Sequence, residues 1–220
     1  TRITAPGQIQ ALLRAGNSPQ TIFVTDSRIN IAGQKVRALD VNATYAFPNS
    51  TFGKFTATTA GTFFLHYQYR ALPSQVYYEY ANLVTNGGTG SQGTLPGMKW
   101  FSTLSWTQGN WAASLANTYL SSVTDLGAGG ITFATSSTLT RVRVPSYTSW
   151  DASATYSLRN LGTTGFLRLV SGLKLTLGIN NLADKMPPAA PQAFGGDAGV
   201  DLSTYNPVGR LWYVSTSFKF

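Results

Sequence analysis

The fold is decided by residues 99–119, which read KWFSTLSWTQGNWAASLANTY. Before the turn signal Gly109-Asn110, the apolar side chains Trp100, Leu104 and Trp106 occupy alternate positions, and serine and threonine lie among the residues between them. After the turn the alternation resumes. A period of two is that of an extended strand with two different faces, whereas a helix repeats every 3.6 residues. The segment therefore predicts a β-hairpin with a tight turn.

The same alternation recurs through most of the chain. It predicts further strands over residues 36–47, 55–69, 150–158, 173–179 and 212–220. The β-region begins near Thr21, and the chain supplies about eight strands. Ten strand residues that rise about 3.3 Å each at a tilt of about 45° climb roughly 23 Å, close to the apolar band of an outer-membrane barrel. In the last three strands every charged residue falls on the polar face, which avoids the roughly 2–4 kcal/mol cost of Lys or Arg facing mid-membrane lipid.

The connections between these strands fall into two classes by length. Short turns are predicted at 48–54 and 107–110, and long loops rich in Gly, Pro, Ser and Thr at 71–97, 121–146 and 183–210. Successive connections of a meander alternate between its two ends, so short turns at one end and long loops at the other are typical of an outer-membrane barrel with periplasmic turns. The exception is 159–172, a turn-side connection that is longer than expected.

The first twenty residues have a different pattern. Ile9, Leu12 and Leu13 are spaced as on one face of a helix, between Pro6 and Gly16. This arrangement predicts one short helix. Residues 1–220 are therefore interpreted as one partial barrel domain, with a helical loop segment over 1–20 and strands and loops over 21–220.

The composition excludes several other classes of protein. The chain is 43% hydrophobic and 11% charged, with a net charge of +8. It has no run of roughly 18 apolar residues, so it is not a helical membrane protein. The closest match to a basic footprint, Arg141-Val142-Arg143, holds two charges, too few for a nucleic-acid partner. A soluble β-sandwich is the all-β alternative, but its strands usually run about 5–6 residues.

The sequence predicts neither an enzyme nor a metal or cofactor site. It has no cysteine and a single histidine, His66, which we expect on the polar face as a hydrogen-bonded wall residue. Without more His or Cys there is no transition-metal set. The acidic residues Asp26, Asp125, Asp184, Asp197 and Asp201 are scattered and lack calcium-loop spacing.

The C-terminal third carries a more specific pattern. Residues 179–188 read INNLADKMPP, residues 205–210 read YNPVGR, and a strand ending in Phe220 follows. This arrangement resembles the end of a TonB-dependent receptor, a ligand-gated importer of the Gram-negative outer membrane. The residues that match are Asn180, Asn181, Leu182, Asp184, Pro187, Pro188, Gly209 and Arg210. Ala183 stands where the family usually has phenylalanine.

The resemblance implies a fold and a function. The chain would be the C-terminal part of a 22-stranded barrel in the cell outer membrane, without the N-terminal plug, and its gene would extend upstream of Thr1. The whole receptor would import a scarce nutrient such as a siderophore–iron complex, a cobalamin or an oligosaccharide, driven by the TonB complex through the plug. The alternative is a complete passive barrel of eight strands with a structural or adhesive role, which would need its own signal peptide.

Two groups of residues are candidates for contacts with partners. Tyr77, Tyr78 and Tyr80 in an external loop, with Arg143, are possible ligand contacts, because aromatic faces and a guanidinium suit sugars, aromatic rings and anions. Cations near the loops are equally suited to lipopolysaccharide phosphates. The alternating residues of the last strand resemble the signal read by the barrel-assembly machinery of outer membranes. They are Trp212, Val214, Phe218 and Phe220.

Overall fold

The computed structural model describes residues 33–86, 92–128, 141–158, 172–195 and 199–218. Regular structure in these residues is entirely β, and none of them belongs to a helix that could cross a membrane. The predicted helix in 1–20 and the β-region near Thr21 lie outside the described residues. The strands are β1 (Gly33–Ala46), β2 (Lys54–Arg70), β3 (Tyr78–Glu79), β4 (Leu83–Asn86), β5 (Gly93–Leu95), β6 (Met98–Gln108), β7 (Trp111–Leu120), β8 (Val123–Ala128), β9 (Val142–Val144), β10 (Tyr147–Ser157), β11 (Leu173–Asn180) and β12 (Leu211–Phe218).

The longer strands form one antiparallel meander. Its order is β1-β2-β6-β7-β10-β11-β12, and the two-residue β3 pairs with the end of β2. These seven strands run from 8 to 17 residues, which confirms the predicted all-β meander of long strands. The sheet is open among the described residues, where β1 pairs only with β2 and β12 only with β11.

The register aligns the alternation of every strand. Residues directly opposite each other in an antiparallel pair share a face of the sheet. One row across the sheet is Tyr45, Ala57, Leu104, Leu115, Ala152, Ile179 and Trp212. The row beside it is Thr44, Thr58, Thr103, Ala116 and Asp151. We call the side of the first row the apolar face and the side of the second the polar face.

The apolar face is exposed. Leu104 is 41% exposed, Trp212 63% and Val214 67%, although each lies within a regular strand. A soluble β-sandwich would cover such a face with a second sheet. The described residues contain no second sheet over it, although Ile179, near the loop end of β11, is buried at 6% exposure.

The buried core lies instead at the loop end of the sheet. The connections 71–97 and 121–146 contribute a second, four-stranded sheet of order β5-β4-β8-β9, in which β4 and β8 run parallel. The third connection packs on it, so that one cluster contains Val84, Val123, Val144, Ala190, Ala193 and Phe194. We call the described parts of 71–97, 121–146 and 181–210 the loop cap. Its parallel pair departs from the predicted purely antiparallel fold.

A β-bulge corrects the prediction for His66. Ala38 lies opposite Phe64 and Arg37 opposite His66, so Leu65 of β2 has no partner in β1. An extra residue in one strand shifts the alternation beyond it by one position. His66 therefore lies with Arg37 on the side of the apolar face and not on the polar face, and Tyr67 moves to the polar face.

Candidate ligand site at the loop end of the sheet

A cavity of about 350 Å³ opens on the polar face beneath the loop cap. Strands β7, β10 and β11 form its floor, and residues 204–211 form one wall. Its lining combines hydroxyls, amides and one carboxylate with the apolar side chains of Leu120, Val208 and Leu211, and no Lys, Arg or His of the described residues contributes to it. The polar side chains that line the cavity include Thr118, Ser149, Asp151, Asn180, Asn181 and Asn206.

Asp151 holds the third long connection against this floor. It lies on the polar face of β10, and its Oδ1 accepts a hydrogen bond of 2.8 Å from the Asn181 amide, just beyond β11. On the neighbouring strand, Asn117 donates from Nδ2 to the Ser149 carbonyl over 3.1 Å. The first bond ties the third connection to the cavity floor, whereas the second lies on the apolar side of the same strands, because Asn117 is opposite Trp150.

The Asn181–Lys185 turn explains part of the family-like motif. Asn181 has a φ of 53°, a left-handed conformation that asparagine tolerates better than most residues. Its side chain accepts from the Lys185 amide over 2.7 Å and donates to the Lys185 carbonyl over 2.9 Å. Asn181 is therefore a turn-forming residue whose side chain is 5% exposed.

The structure brings the two halves of the motif into contact. Asp184, with a φ of 52°, accepts a bond of 2.8 Å from the Arg210 amide through Oδ1. A Cβ on Gly209 would lie 2.7 Å from that oxygen, so only glycine fits without displacing the carboxylate. Leu182 donates its amide to the Trp150 carbonyl over 2.7 Å. Pro187 is half-buried and Pro188 buried.

None of the four predicted ligand-contact residues lines the 350 Å³ cavity. The Tyr77 ring packs against the Lys35 ammonium, and Tyr78 in β3 lies opposite Tyr69 in β2. Arg143 is exposed on β9. Tyr80 is 3% exposed, and its ring packs edge-on to Tyr69 with 6.1 Å between centroids. Burial raises the pKa of Tyr80. Ligand contact stays a prediction for all four, and Tyr80 has the least surface to offer.

The residues that resemble an assembly signal form an exposed row. Trp212, Val214 and Phe218 are 63%, 67% and 41% exposed on the apolar face of the edge strand β12. Phe220 lies outside the described residues. Their arrangement is the regular alternation that the sequence predicts.

Sequence reasoning missed a buried polar cluster in the loop cap. Asp201 is 2% exposed, and its Oδ1 accepts from the Ser203 amide and hydroxyl over 2.9 and 2.6 Å. Burial acts to raise the pKa of Asp201, but hydrogen bonding led by the Ser203 hydroxyl outweighs it and holds the pKa below its usual value. Tyr205 is 3% exposed and packs on Tyr147 with 5.4 Å between ring centroids. Nothing local in the sequence marks these residues as buried.

We predict that the loop cap loosens in alkali through Tyr205. Burial, with the charge of Asp201, raises its pKa from 10.0 to about 12. The folded state therefore favours the neutral phenol, so this contribution is fully present below pH 10 and is lost as the pH rises through about 12. The absorbance difference at 295 nm between wild type and Tyr205→Phe should titrate near pH 12.

A difference that titrates near pH 10 would contradict this assignment. Among the described residues, the Tyr205 hydroxyl also has no hydrogen-bond partner. Because an unpaired buried hydroxyl costs about 1–3 kcal/mol, Tyr205→Phe should be neutral or stabilising at pH 7. Thermal unfolding followed by near-ultraviolet circular dichroism measures this second effect.

Neither metal chemistry nor comparison with known proteins assigns the cavity a ligand. The described residues contain no group of three or more His, Asp or Glu side chains that could hold a metal ion. Neither a scan against protein-family models nor a search of the curated proteins finds a significant match. Any functional conclusion therefore depends on the geometry and on the sequence motif.

Proposed function

We propose that this chain is the C-terminal part of the barrel of a TonB-dependent receptor in a Gram-negative outer membrane. The receptor takes up a scarce nutrient such as a siderophore–iron complex, a cobalamin or an oligosaccharide. The observation that carries the proposal is the exposed apolar face, which is continuous across seven antiparallel strands.

Lipid is the cover that fits this face. Burying a Leu, Val or Phe side chain contributes about 1.5–3 kcal/mol, so an apolar row on every strand is a strong driving force for insertion. On a water-soluble monomer the same face would be an unusually large exposed patch. The opposite face, whose central row includes Thr44, Thr58, Thr103 and Asp151, is more polar and suits a water-filled lumen.

The lengths of the connections at the two ends of the sheet also fit an outer-membrane barrel. The turns at 47–53 and 109–110 are short, the connection 159–172 at the same end is longer, and the three long connections at the other end form the loop cap. Outer-membrane barrels have short periplasmic turns and longer external loops. The cavity beneath the loop cap then lies on the lumen side, where an incoming ligand would pass.

The open edges support a larger barrel over a small passive one. Every unpaired backbone group in hydrocarbon costs several kcal/mol, so both edges need strand partners in a membrane. The described parts of β1 and β12 do not pair with each other. We propose that further strands of a larger barrel supply their partners.

The motif contacts support the choice of family. Asn181, Asp184 and Gly209 each have a geometric reason for their identity in this turn. The proposal includes outer-membrane localisation, insertion by the barrel-assembly machinery and energy coupling to TonB through a plug domain. It includes no catalytic residue and no resident cofactor.

Uptake measurements test the proposal. The whole gene is deleted and restored, and uptake of labelled ferric siderophores, cobalamin and maltooligosaccharides is measured with the TonB complex intact or inactivated. We expect restored uptake of one class that disappears without TonB. Energy-independent uptake, or none with the protein in the outer membrane, would favour the passive barrel. Recovery in the soluble fraction would refute the membrane assignment.

A cavity-filling variant tests the route. Ser149→Tyr places a phenol in the cavity on the polar face of β10, where it blocks the nutrient from its contacts. Loss of about 1.4 kcal/mol of binding free energy lowers affinity tenfold, so we expect uptake of the restored nutrient to fall roughly tenfold. Ser153→Tyr is the matched control, since Ser153 is on the same face of the same strand but does not line the cavity. Equal uptake by both variants would show that the nutrient does not pass through the cavity.

A further inference from the structure

A second, smaller cavity lies beside the β-bulge. Its volume is about 270 Å³, and its walls are the side chains of Lys35, Arg37, His66 and Gln68. Lys35 lies opposite Gln68, and Arg37 lies opposite His66. The bulge at Leu65 is what turns His66 to this side, so the cavity exists because the alternation of β2 is interrupted there.

This cavity continues the apolar face toward the loop cap. In β1, Arg37 is two residues from Leu39, so both are on the same side, and Leu39 lies opposite Phe63. Two strand residues span roughly 7 Å. Cationic side chains therefore stand directly above an exposed apolar row, at the loop end of the sheet.

The charges of this cavity are largely uncompensated. Within the part of the chain that the structure describes, neither Lys35 nor Arg37 has a carboxylate partner, and Glu79 Oε2 is hydrogen-bonded to His66 Nδ1 over 3.0 Å. The other oxygen of Glu79 accepts from the Tyr67 and Ala81 amides over 2.7 and 3.1 Å. Glu79 is thus hydrogen-bonded to groups other than Lys35 and Arg37.

A neighbouring aromatic ring holds the lysine in place. The Lys35 ammonium lies 4.2 Å from the centre of the Tyr77 ring, and the Arg70 guanidinium lies 4.7 Å from it. Such cation–π contacts restrict a long side chain that would otherwise sample many rotamers. A third positive charge, that of Arg70, is therefore close to the cavity.

We propose that the Lys35–Arg37–His66–Gln68 cavity binds the phosphate group of a lipid headgroup, with the acyl chains lying along the apolar face below it. The inference rests on the proposed membrane function. Guanidinium, ammonium and amide N–H groups are the donors that phosphate oxygens prefer. A phosphate joined to acyl chains matches both the cations and the apolar row, whereas a free anion matches only the cations.

Lipid binding by the purified full-length gene product in neutral detergent tests this site. The probes are bisphosphoryl lipid A, monophosphoryl lipid A and inorganic phosphate, and native mass spectrometry counts bound lipid during a titration. We expect Lys35→Gln/Arg37→Gln to weaken binding of bisphosphoryl lipid A roughly tenfold or more, because charge-assisted hydrogen bonds are lost. The swap Lys35→Arg/Arg37→Lys keeps both charges and should retain most of the binding.

The matched control removes two charges elsewhere at the same end. Lys99 is on the polar face and Arg141 in the loop cap, and both are exposed. Lys99→Gln/Arg141→Gln should bind lipid A as the wild type does. Equal weakening by both double variants, or none by the first, overturns the site. Equally tight binding of inorganic phosphate overturns the lipid assignment.

Fractionation of the cells that express the full-length protein separates this inference from the proposed function. If the wild-type protein is absent from the outer membrane, the proposed function fails. If the protein is in the outer membrane and lipid A binding does not depend on Lys35 and Arg37, only the lipid site fails.

Discussion

Replacing Leu104 with lysine is expected to lower the free energy of unfolding in a bilayer by about 2–4 kcal/mol, the cost of a lysine near the middle of a lipid-facing strand. Leu104 lies in the central part of β6 on the apolar face, opposite Leu115, and is 41% exposed. In water, a lysine at so exposed a position would change stability by roughly 0.5 kcal/mol or less. Urea titration of the full-length protein in phosphatidylcholine vesicles measures the difference.

The neighbouring residue supplies the control. Thr103 is in the same strand at the same height but on the polar face. We expect Thr103→Lys to cost less than about 1 kcal/mol, because its ammonium stays in the lumen. If both variants cost the same, or if Leu104→Lys costs nothing in vesicles, the apolar face is not the lipid face. Leu104→Ser separates the cost of the charge from the loss of the leucine side chain.

Asp125→Ala is expected to detach the third long connection from the rest of the loop cap. Asp125 in β8 is fully buried, and its Oδ2 accepts from the amides of Gln192 and Ala193 over 2.9 and 3.3 Å. Its removal leaves one buried and one half-buried amide without this acceptor, at a cost of about 2–4 kcal/mol. Phe194, 9% exposed, should then become accessible. Chymotrypsin cleavage there should accelerate roughly 30- to 1,000-fold, if it follows the opened population.

Asp184→Ala is the matched control for this cleavage. Asp184 also accepts a backbone amide, that of Arg210, but it is exposed, so water replaces the lost bond. We expect its effect at Phe194 to be less than about tenfold, since a net hydrogen bond contributes about 1 kcal/mol. Equal cleavage rates for Asp125→Ala and wild type would show that the buried carboxylate does not hold the connection.

The strands of the main sheet were predictable because their signal is local. The predicted strand 55–69 corresponds to β2, Lys54–Arg70, and the turn Gly109-Asn110 lies between β6 and β7. Side-chain alternation comes directly from the geometry of an extended chain, so each strand can be identified without knowledge of its neighbours. The same alternation predicted which residues share a face, except beyond Leu65, where one unpaired residue reverses the faces.

The candidate sites were only partly predictable, because they depend on distant contacts. The motif residues were identified from the sequence, but the contact of Asp184 with Gly209 and Arg210 joins positions some 25 residues apart. Asp125 and Asp201 looked like ordinary surface acids, and nothing near either in the sequence distinguishes a buried carboxylate from an exposed one. Their burial follows from the packing of three separate connections into one core.

The amino-acid sequence by itself therefore determined the all-β class, the long strands, their two-sided character and the two classes of connection, since these follow from the order of side chains along a local segment. Only the tertiary structure decided the parallel pairing of β4 with β8, the bulge that brings His66 beside Arg37, and the cavities at the loop end. Register and loop packing depend on residues far apart in the chain, and the choice between competing pairings is made by the assembled core as a whole.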